Sequence, residues 1–341
     1  MNKVCFISVY FGEIPAFFKT FFDSCEWNLD FDWLIVHDKP LIYERPKNVH
    51  DVIMDLNEFE KIVEEKIGLS IPQIKPYKVC DFRPAFGIIF EDYIKGYDFW
   101  GICDTDLVLG KLSKFITNEM LESYDKIFTM GHMSLVRNND TCNWLFKKET
   151  INSRYYKDVF CNQKNCIYDE YEGFTEKFCD SGLNVYKQKK CADISIKYGR
   201  LRVNEKWLIR CIQPKNRYIN FSKDKNYNHQ IFWLSNGRTF RTYLDNEKRI
   251  IKEEYSYIHK LDFACNNKIT VDDSYILTAN GYVQDEKLIA HLIEGKVDAK
   301  QLDKYNIAHI EKEIISDFYW YLRWNFRHLK AFIERVYLGK K

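Results

Sequence analysis

"GYDFWGICDTDLVLGKL" (residues 96–112) is an apolar run that ends in two aspartates one residue apart, Asp104 and Asp106, and then becomes apolar again. The run predicts a buried β-strand. In open α/β sheets, ligands bind beyond the carboxyl ends of the strands, which is where the two aspartates lie. Two such carboxylates can face one divalent ion, and oxygen ligands suit Mg²⁺ or Mn²⁺ carrying phosphates. The stretch therefore predicts a metal-binding edge on an α/β sheet.

Strand-like and helical segments alternate on the amino-terminal side of this stretch. The predicted strands are 4–11, 33–38 and 52–56, and the predicted helices are 14–27 and 58–68. A further segment, 77–97, has helical periodicity after Pro84. Shorter strands follow from about residue 126. The alternation predicts a Rossmann-like, mostly parallel mixed sheet flanked by helices.

Composition narrows the class of protein. Of 341 residues, 46% are apolar, which is enough for a large core, and the 51 basic and 49 acidic residues leave no charge excess that would indicate a nucleic-acid partner. Eleven cysteines occur without a CxxC pair, and the first residues lack the pattern of a secretion signal. No apolar run is long enough to span a bilayer. We expect a cytoplasmic globular protein, placed at the inner face of the plasma membrane if its last helix binds lipid.

A DxD pattern alone is weak evidence for a metal site, because turns and unrelated enzymes contain it too. A second pair, Asp30 and Asp32, precedes the strand predicted at 33–38, where a turn is the ordinary interpretation. Phosphatases of the haloacid-dehalogenase kind also end a strand in DxD, but they carry Thr where this chain has Val108. A non-catalytic glycan-binding protein with an inherited fold is the remaining alternative.

Four blocks carry a resemblance to a known family: 76–112, "GHMSLVRN" (131–138), "YDEYEGF" (168–174) and "EYSYIHK" (254–260). Over residues 1–285 the chain resembles bacterial capsule and surface-polysaccharide biosynthesis proteins, which are similar to GT-A glycosyltransferases. The resemblance implies a GT-A-like fold. It also implies a hexosyltransferase that uses Mn²⁺ or Mg²⁺ and a nucleotide sugar, with a UDP-sugar as the expected donor. The acceptor would be a surface glycan or a lipid-linked oligosaccharide.

The resemblance also implies roles for individual residues. The metal ligands would be Asp104, Asp106 and His259, although His259 is equally compatible with a plain strand-end histidine. The catalytic base would be Asp169 or Glu170 if the enzyme inverts configuration, and a retaining enzyme needs no such base. His132, Arg137 and Asn138 are candidates for sugar contacts. The residues expected to contact the nucleotide, its diphosphate or the donor sugar are Ser8, Tyr10, Gly12, Asp38, Lys78, Asp81, Arg83, Asp104 and Lys260.

The last part of the chain differs in character from the rest. We predict a catalytic domain over 1–262 and an extension over 263–341 that ends in a basic, aromatic, amphipathic helix. Such a helix can lie in a membrane interface, or it can pack on the catalytic domain or on a second subunit of a homo-oligomer. Its apolar residues are Phe318, Leu322, Leu329, Phe332, Ile333 and Val336, its cations are Arg323, Arg327, Lys330, Arg335, Lys340 and Lys341, and Trp320 and Trp324 have interfacial character.

Overall fold

A computed structural model describes residues 2–151, 153–170, 173–197, 200–204, 225–259 and 268–305. Within these ranges the fold is mixed α/β. The strands are β1 (Val4–Tyr10), β2 (Asp32–His37), β3 (Val49–Ile53), β4 (Phe99–Cys103), β5 (Leu107–Leu109), β6 (Lys126–Met130), β7 (Met133–Arg137), β8 (Val185–Tyr186), β9 (Ala192–Lys197), β10 (Arg200–Val203), β11 (Gln230–Ser235), β12 (Arg238–Leu244), β13 (Ile250–Tyr255), β14 (Tyr257–His259), β15 (Ser274–Thr278) and β16 (Gly281–Val283). The α-helices are α1 (Phe17–Cys25), α2 (Leu56–Ile67), α3 (Phe86–Ile89), α4 (Asn118–Ser123), α5 (Asp140–Asn143), α6 (Tyr156–Phe160), α7 (Phe174–Asp180), α8 (Glu286–Glu294) and α9 (Ala299–Leu302). Short 3₁₀ helices cover Pro76–Ala85, Leu112–Lys114 and Leu145–Lys147.

The largest sheet has seven strands in the order β3-β2-β1-β4-β7-β6-β8. Its strands run in one direction except β7, which is antiparallel to both β4 and β6. This confirms the predicted fold class, a mostly parallel mixed sheet flanked by helices. The carboxyl ends of β1, β2 and β4 therefore meet at one edge, and the chain enters β7 at that same edge.

Hydrophobic residues cover both faces of this sheet. On one face, Phe6 stacks on Trp33 with ring centroids 5.5 Å apart, and the aromatic residues of α1 pack beside them. On the other face, Ile7 packs with the apolar side of α2. Helix α2 forms as predicted because Asp55 and Glu58 make a capping box at its start and Gly68, at φ 72°, ends it. Neighbouring residues of β1 thus belong to two separate cores, as their alternation requires.

The helix predicted after Pro84 is shorter than its periodicity suggested. The chain forms the 3₁₀ segment Pro76–Ala85 and then only four helical residues in α3. A Cβ atom on Gly87 would lie 2.4 Å from Trp100 Nε1, so the backbone lies directly against the side chain of β4. Helix α1 is likewise shorter than the predicted 14–27 and begins at Phe17. In the 77–97 segment, packing against β4 overrides the local periodicity.

Two smaller sheets complete the described fold. One has the order β10-β9-β14-β5, and the other is antiparallel with the order β13-β12-β11-β15-β16. The hairpin of β11 and β12 turns at Asn236 and Gly237, both at positive φ, which is the backbone of a type I′ turn. The domain boundary near residue 262 stays a prediction, and strands from both sides of it share the antiparallel sheet.

Lys260 and the basic helix predicted near the carboxyl terminus lie outside the described residues. Within the described ranges, no helix combines the length and the apolar character needed to cross a membrane.

Candidate metal site at the carboxyl edge of the sheet

Asp104, Asp106 and His259 converge at the carboxyl edge of β4. The two aspartates follow β4 directly, and β5 begins at the next residue. Strand β14 pairs with β5 so that His259 lies opposite Leu107, and this pairing brings the histidine to the aspartates. His259 Nε2 lies 3.7 Å from Asp104 Oδ2 and 3.5 Å from Asp106 Oδ1. The ligand atoms all fall within 4.8 Å of one another.

The donor set of these residues fits a divalent metal ion. Two carboxylates and one imidazole suit Mn²⁺, and the carboxylates also suit Mg²⁺. Burial alone lowers the pKa of His259. The hydrogen bond to Asp193 and the charges of Asp106 and Asp104 outweigh that effect and raise the pKa. The excess of negative charge that attracts a proton to this ring would equally attract a divalent cation.

Arg83 connects the metal site to a second carboxylate. Its guanidinium donates a hydrogen bond to Asp104, another of 2.8 Å to Asp169 Oδ2, and a third of 3.0 Å to the carbonyl oxygen of Gly131. Arg83 is therefore committed to two carboxylates rather than exposed as an unpaired cation. A planar guanidinium suits this arrangement because its donors point in fixed directions.

Asp169 and Glu170, the candidate bases, lie together beside Gly131. A Cβ atom on Gly131 would be 2.9 Å from Asp169 Oδ2 and 2.9 Å from Glu170 Oε1, so a side chain there would displace both carboxylates. Asp169 is buried, and burial raises its pKa, while Arg83 opposes the rise. The structure thus brings Asp169 to the metal site through Arg83.

The first strand and its loop meet the same edge. Ser8 Oγ donates a hydrogen bond of 2.5 Å to the carbonyl oxygen of Cys103, which fixes β1 to the residue before Asp104. Burial and the charge of Asp106 raise the pKa of Tyr10, whose ring packs edge-on against Phe18. Gly12, at φ 126°, donates its N–H to Asp38 Oδ1 at 2.8 Å. Two residues predicted separately as nucleotide contacts are therefore joined to each other.

Lys78 and Asp81 have contacts that argue against the predicted ligand role. Lys78 Nζ lies 2.7 Å from Asp81 Oδ2 and also donates to the carbonyl oxygens of Val159 and Lys164 at 2.8 Å. Asp81 accepts backbone N–H groups from Cys166 at 2.7 Å and Tyr168 at 2.9 Å. Both side chains are buried. The pair anchors the loop that leads to Asp169 and offers no charge to a diphosphate.

The three candidates from "GHMSLVRN" separate in space. His132 stacks on His259, with ring centroids 4.2 Å apart. Arg137 lies opposite Phe99, at the far end of β4, where it pairs with Asp125. Asn138 donates to the carbonyl oxygens of Ile94 and Tyr97 in the same region. Only His132 of the three is brought to the metal site.

Sequence reasoning missed Asp193. Its Oδ1 lies 3.0 Å from His259 Nδ1, and its side chain is buried. The signal was present as a single acidic residue inside the apolar run "CADISI" (191–196), where a carboxylate requires a partner. The local sequence did not identify His259 as that partner, because it does not show that β9 pairs with β14.

A family model described as a family of unknown function, DUF6625, matches residues 6–286. No curated protein matches the sequence. Among solved structures, the galactosyltransferase LgtC in complex with donor and acceptor sugar analogues has a TM-score of 0.33 and 8% identity, and covers 65% of this chain and 82% of its own. An active-site mutant of LgtC has a TM-score of 0.31 and 9% identity, and the match covers 56% of this chain and 75% of the LgtC chain. The fold assignment above rests on strand order and not on these neighbours.

Proposed function

We propose that this chain, which belongs to the DUF6625 family, is a metal-dependent glycosyltransferase with a GT-A-like fold. It would move a sugar from a nucleotide diphosphate donor to a surface polysaccharide acceptor, such as a capsule or O-antigen-like glycan. The observation that supports this best is the convergence of Asp104, Asp106 and His259 at the carboxyl edge of a mostly parallel sheet. Ligands of such sheets bind at that edge.

Asp104, Asp106 and His259 would hold Mn²⁺ or Mg²⁺, which supplies positive charge for a departing diphosphate. Protein residues would bind the donor and position the groups of the site. The loops that hold Gly12 and Asp38 would contact the nucleotide, because they follow β1 and β2, whose carboxyl ends lie at the same edge of the sheet as that of β4. Arg83 would hold Asp104 in place through Oδ1, while Oδ2 of the same carboxylate lies 3.7 Å from His259 Nε2.

Asp169 or Glu170 would take the proton from the acceptor hydroxyl in an inverting reaction. Their place beside Gly131, and the link from Asp169 through Arg83 to Asp104, support this role. Burial raises the pKa of Asp169, which makes this carboxylate a stronger base than an exposed aspartate. Rate would come chiefly from holding donor and acceptor together in a site of fixed charges.

Binding of nucleotide diphosphate sugars to the full chain tests the proposal. We expect thermal stabilisation by a nucleotide sugar in Mn²⁺ and none in EDTA, because a ligand of the native state raises its apparent stability. His259→Ala should lose this metal dependence, whereas His50→Ala, which changes an exposed histidine, should keep it. Absence of metal-dependent stabilisation across a panel of nucleotide sugars would refute the proposal.

The same preparations separate the alternatives. A haloacid-dehalogenase-like phosphatase would release inorganic phosphate from simple phosphomonoesters. The structure offers little support for such a phosphatase, because Asp104 is paired with Arg83 and Val108 is buried in β5. A non-catalytic glycan-binding protein would bind a glycan without releasing a nucleoside diphosphate from any donor.

The basic, aromatic segment that the sequence predicts to be a terminal helix is proposed as a peripheral contact with the inner leaflet, where lipid-linked acceptors would be met. Its basic and aromatic composition supports that location. Co-sedimentation with anionic liposomes at low salt tests it. The full chain should pellet more strongly than a chain ending near residue 315, and equal pelleting would leave the helix with a packing role, on this chain or on a second copy.

A further inference from the structure

Asp193 lies beside His259 because of the register of two parallel strands. Strand β9 pairs with β14, and in that register His259 is the partner of Asp193. The contact joins two buried side chains, with 3.0 Å between His259 Nδ1 and Asp193 Oδ1. A contact set by strand pairing has little freedom to rearrange. The geometry of the aspartate relative to the ring is therefore part of the fold.

The contact determines which ring nitrogen of His259 carries the proton. An ionised carboxylate only accepts hydrogen bonds, so Nδ1 must be the donor to Asp193. Asn204 Nδ2 donates to the same carboxylate oxygen at 3.1 Å, which fixes that oxygen as an acceptor from a second side. In the neutral ring, Nε2 then keeps its lone pair. Nε2 is the atom that lies 3.7 and 3.5 Å from the Asp104 and Asp106 carboxylates.

A second contact restricts the plane of the ring. The His132 imidazole stacks on His259 at 4.2 Å with 23° between the planes. Tyr257 Oη lies 2.8 Å from His132 Nδ1, and Tyr257 is fully buried, so His132 is itself held in place. The ring of His259 is thus fixed at one edge by Asp193 and on one face by His132.

We propose that Asp193 is a positioning residue for metal binding. It holds His259 as the Nδ1–H tautomer and directs Nε2 toward Asp104 and Asp106. This inference rests on the proposed function. Groups that orient a metal-binding histidine typically contribute about 10- to 100-fold to metal affinity. We expect a contribution in the same range from Asp193.

The test compares Asp193→Asn with a matched variant, Asp51→Asn. Asp51 contacts another histidine, with 3.1 Å between its Oδ2 and His37 Nε2, and it lies outside the metal site. Titration of the full chain with Mn²⁺ should show an affinity loss of about 10- to 100-fold in Asp193→Asn and no loss in Asp51→Asn. Thermal unfolding without metal checks that both variants are folded.

Nitrogen NMR of histidine-labelled protein gives a readout that needs no metal. At alkaline pH, where the imidazole is neutral, the His259 signal should report the Nδ1–H tautomer in the wild type and lose that preference in Asp193→Asn. The His259→Gln variant assigns the signal. If tautomer and Mn²⁺ affinity are both unchanged in Asp193→Asn, the inference is wrong. If the wild type shows the Nδ1–H tautomer but binds no Mn²⁺, the proposed function fails while the orientation of the ring stands.

Discussion

Arg83 donates a hydrogen bond of 2.8 Å to Asp169 Oδ2 across 86 residues of sequence. The same guanidinium also contacts Asp104. One cation thus lies between a candidate metal ligand and a candidate base. Both carboxylates therefore depend on one counter-charge, the Arg83 guanidinium.

The first prediction concerns the metal. Asp106→Ala should abolish Mn²⁺-dependent binding of a nucleoside diphosphate, because it removes one of the three converging ligands. Calorimetry with and without Mn²⁺ measures this. Asp30→Ala is the matched control, since it removes an exposed carboxylate from the chain's other DxD pair. Equal Mn²⁺-dependent affinity in wild type and Asp106→Ala would remove Asp106 from the site.

The second prediction concerns the acceptor's proton. Asp169→Asn or Glu170→Gln should reduce sugar transfer by at least about 100-fold while donor binding persists, because only proton transfer is affected. Transfer rates and donor affinity are measured separately. Asp158→Asn, an exposed carboxylate on α6, should retain both. Full turnover in both test variants would indicate a retaining enzyme or a base elsewhere.

The third prediction concerns Arg83. Arg83→Met should lower the free energy of unfolding by about 3 kcal/mol near neutral pH, because two carboxylates lose their shared cation. Arg83 lowers the pKa of Asp169, so its removal should raise that pKa further above the ordinary value. The destabilisation should therefore shrink on acidification, as Asp169 becomes protonated and its charge disappears. Denaturant unfolding across pH measures this, and a pH-independent loss would contradict it.

The fourth prediction concerns Lys126, a buried lysine whose Nζ donates to Ser134 Oγ at 2.8 Å. Burial lowers the pKa of Lys126 from 10.5 to about 7. Between these values the unfolded chain binds one more proton than the folded chain, so stability should rise with pH.

Lys126→Met removes the unfavourable free energy of burying this ammonium group. Its stabilisation should be largest at pH 7 and below and should decrease by up to about 1.4 kcal/mol per pH unit as the pH rises toward 10.5. Lys95→Met changes an exposed lysine and provides the control in the same unfolding measurements. If the difference in stability between Lys126→Met and the wild type does not vary with pH, the pKa of Lys126 is not lowered in the folded protein.

Local patterns predicted the elements that depend on neighbours in sequence. The apolar run of β1 and the capped, periodic segment of α2 each carry their own signal, and Asp104 and Asp106 follow a strand that is apolar throughout. The contact of Asp193 with His259 depends on which strands pair and in what register. That information lies in long-range packing, so no local pattern revealed it.

Lys78 and Asp81 differ from Asp193, because the sequence predicted a role for them that their contacts do not support. In the sequence, these charged residues precede β4, the strand that leads to Asp104, and that position indicates a role in ligand binding. In the structure these two neutralise each other and hold a loop. Composition identifies charge, but only the tertiary contacts show where the charge is used.

The pairing of β5 with β14 has a consequence for how the protein matures during synthesis. Residues up to β7 already contain both aspartates and most of the large sheet, and amino-terminal regions generally begin to fold first. His259 leaves the ribosome only after the antiparallel hairpin of β11 and β12 has been made. A nascent chain would therefore expose an acidic pair without its histidine, and metal affinity should appear late, as a sign that synthesis has passed β14.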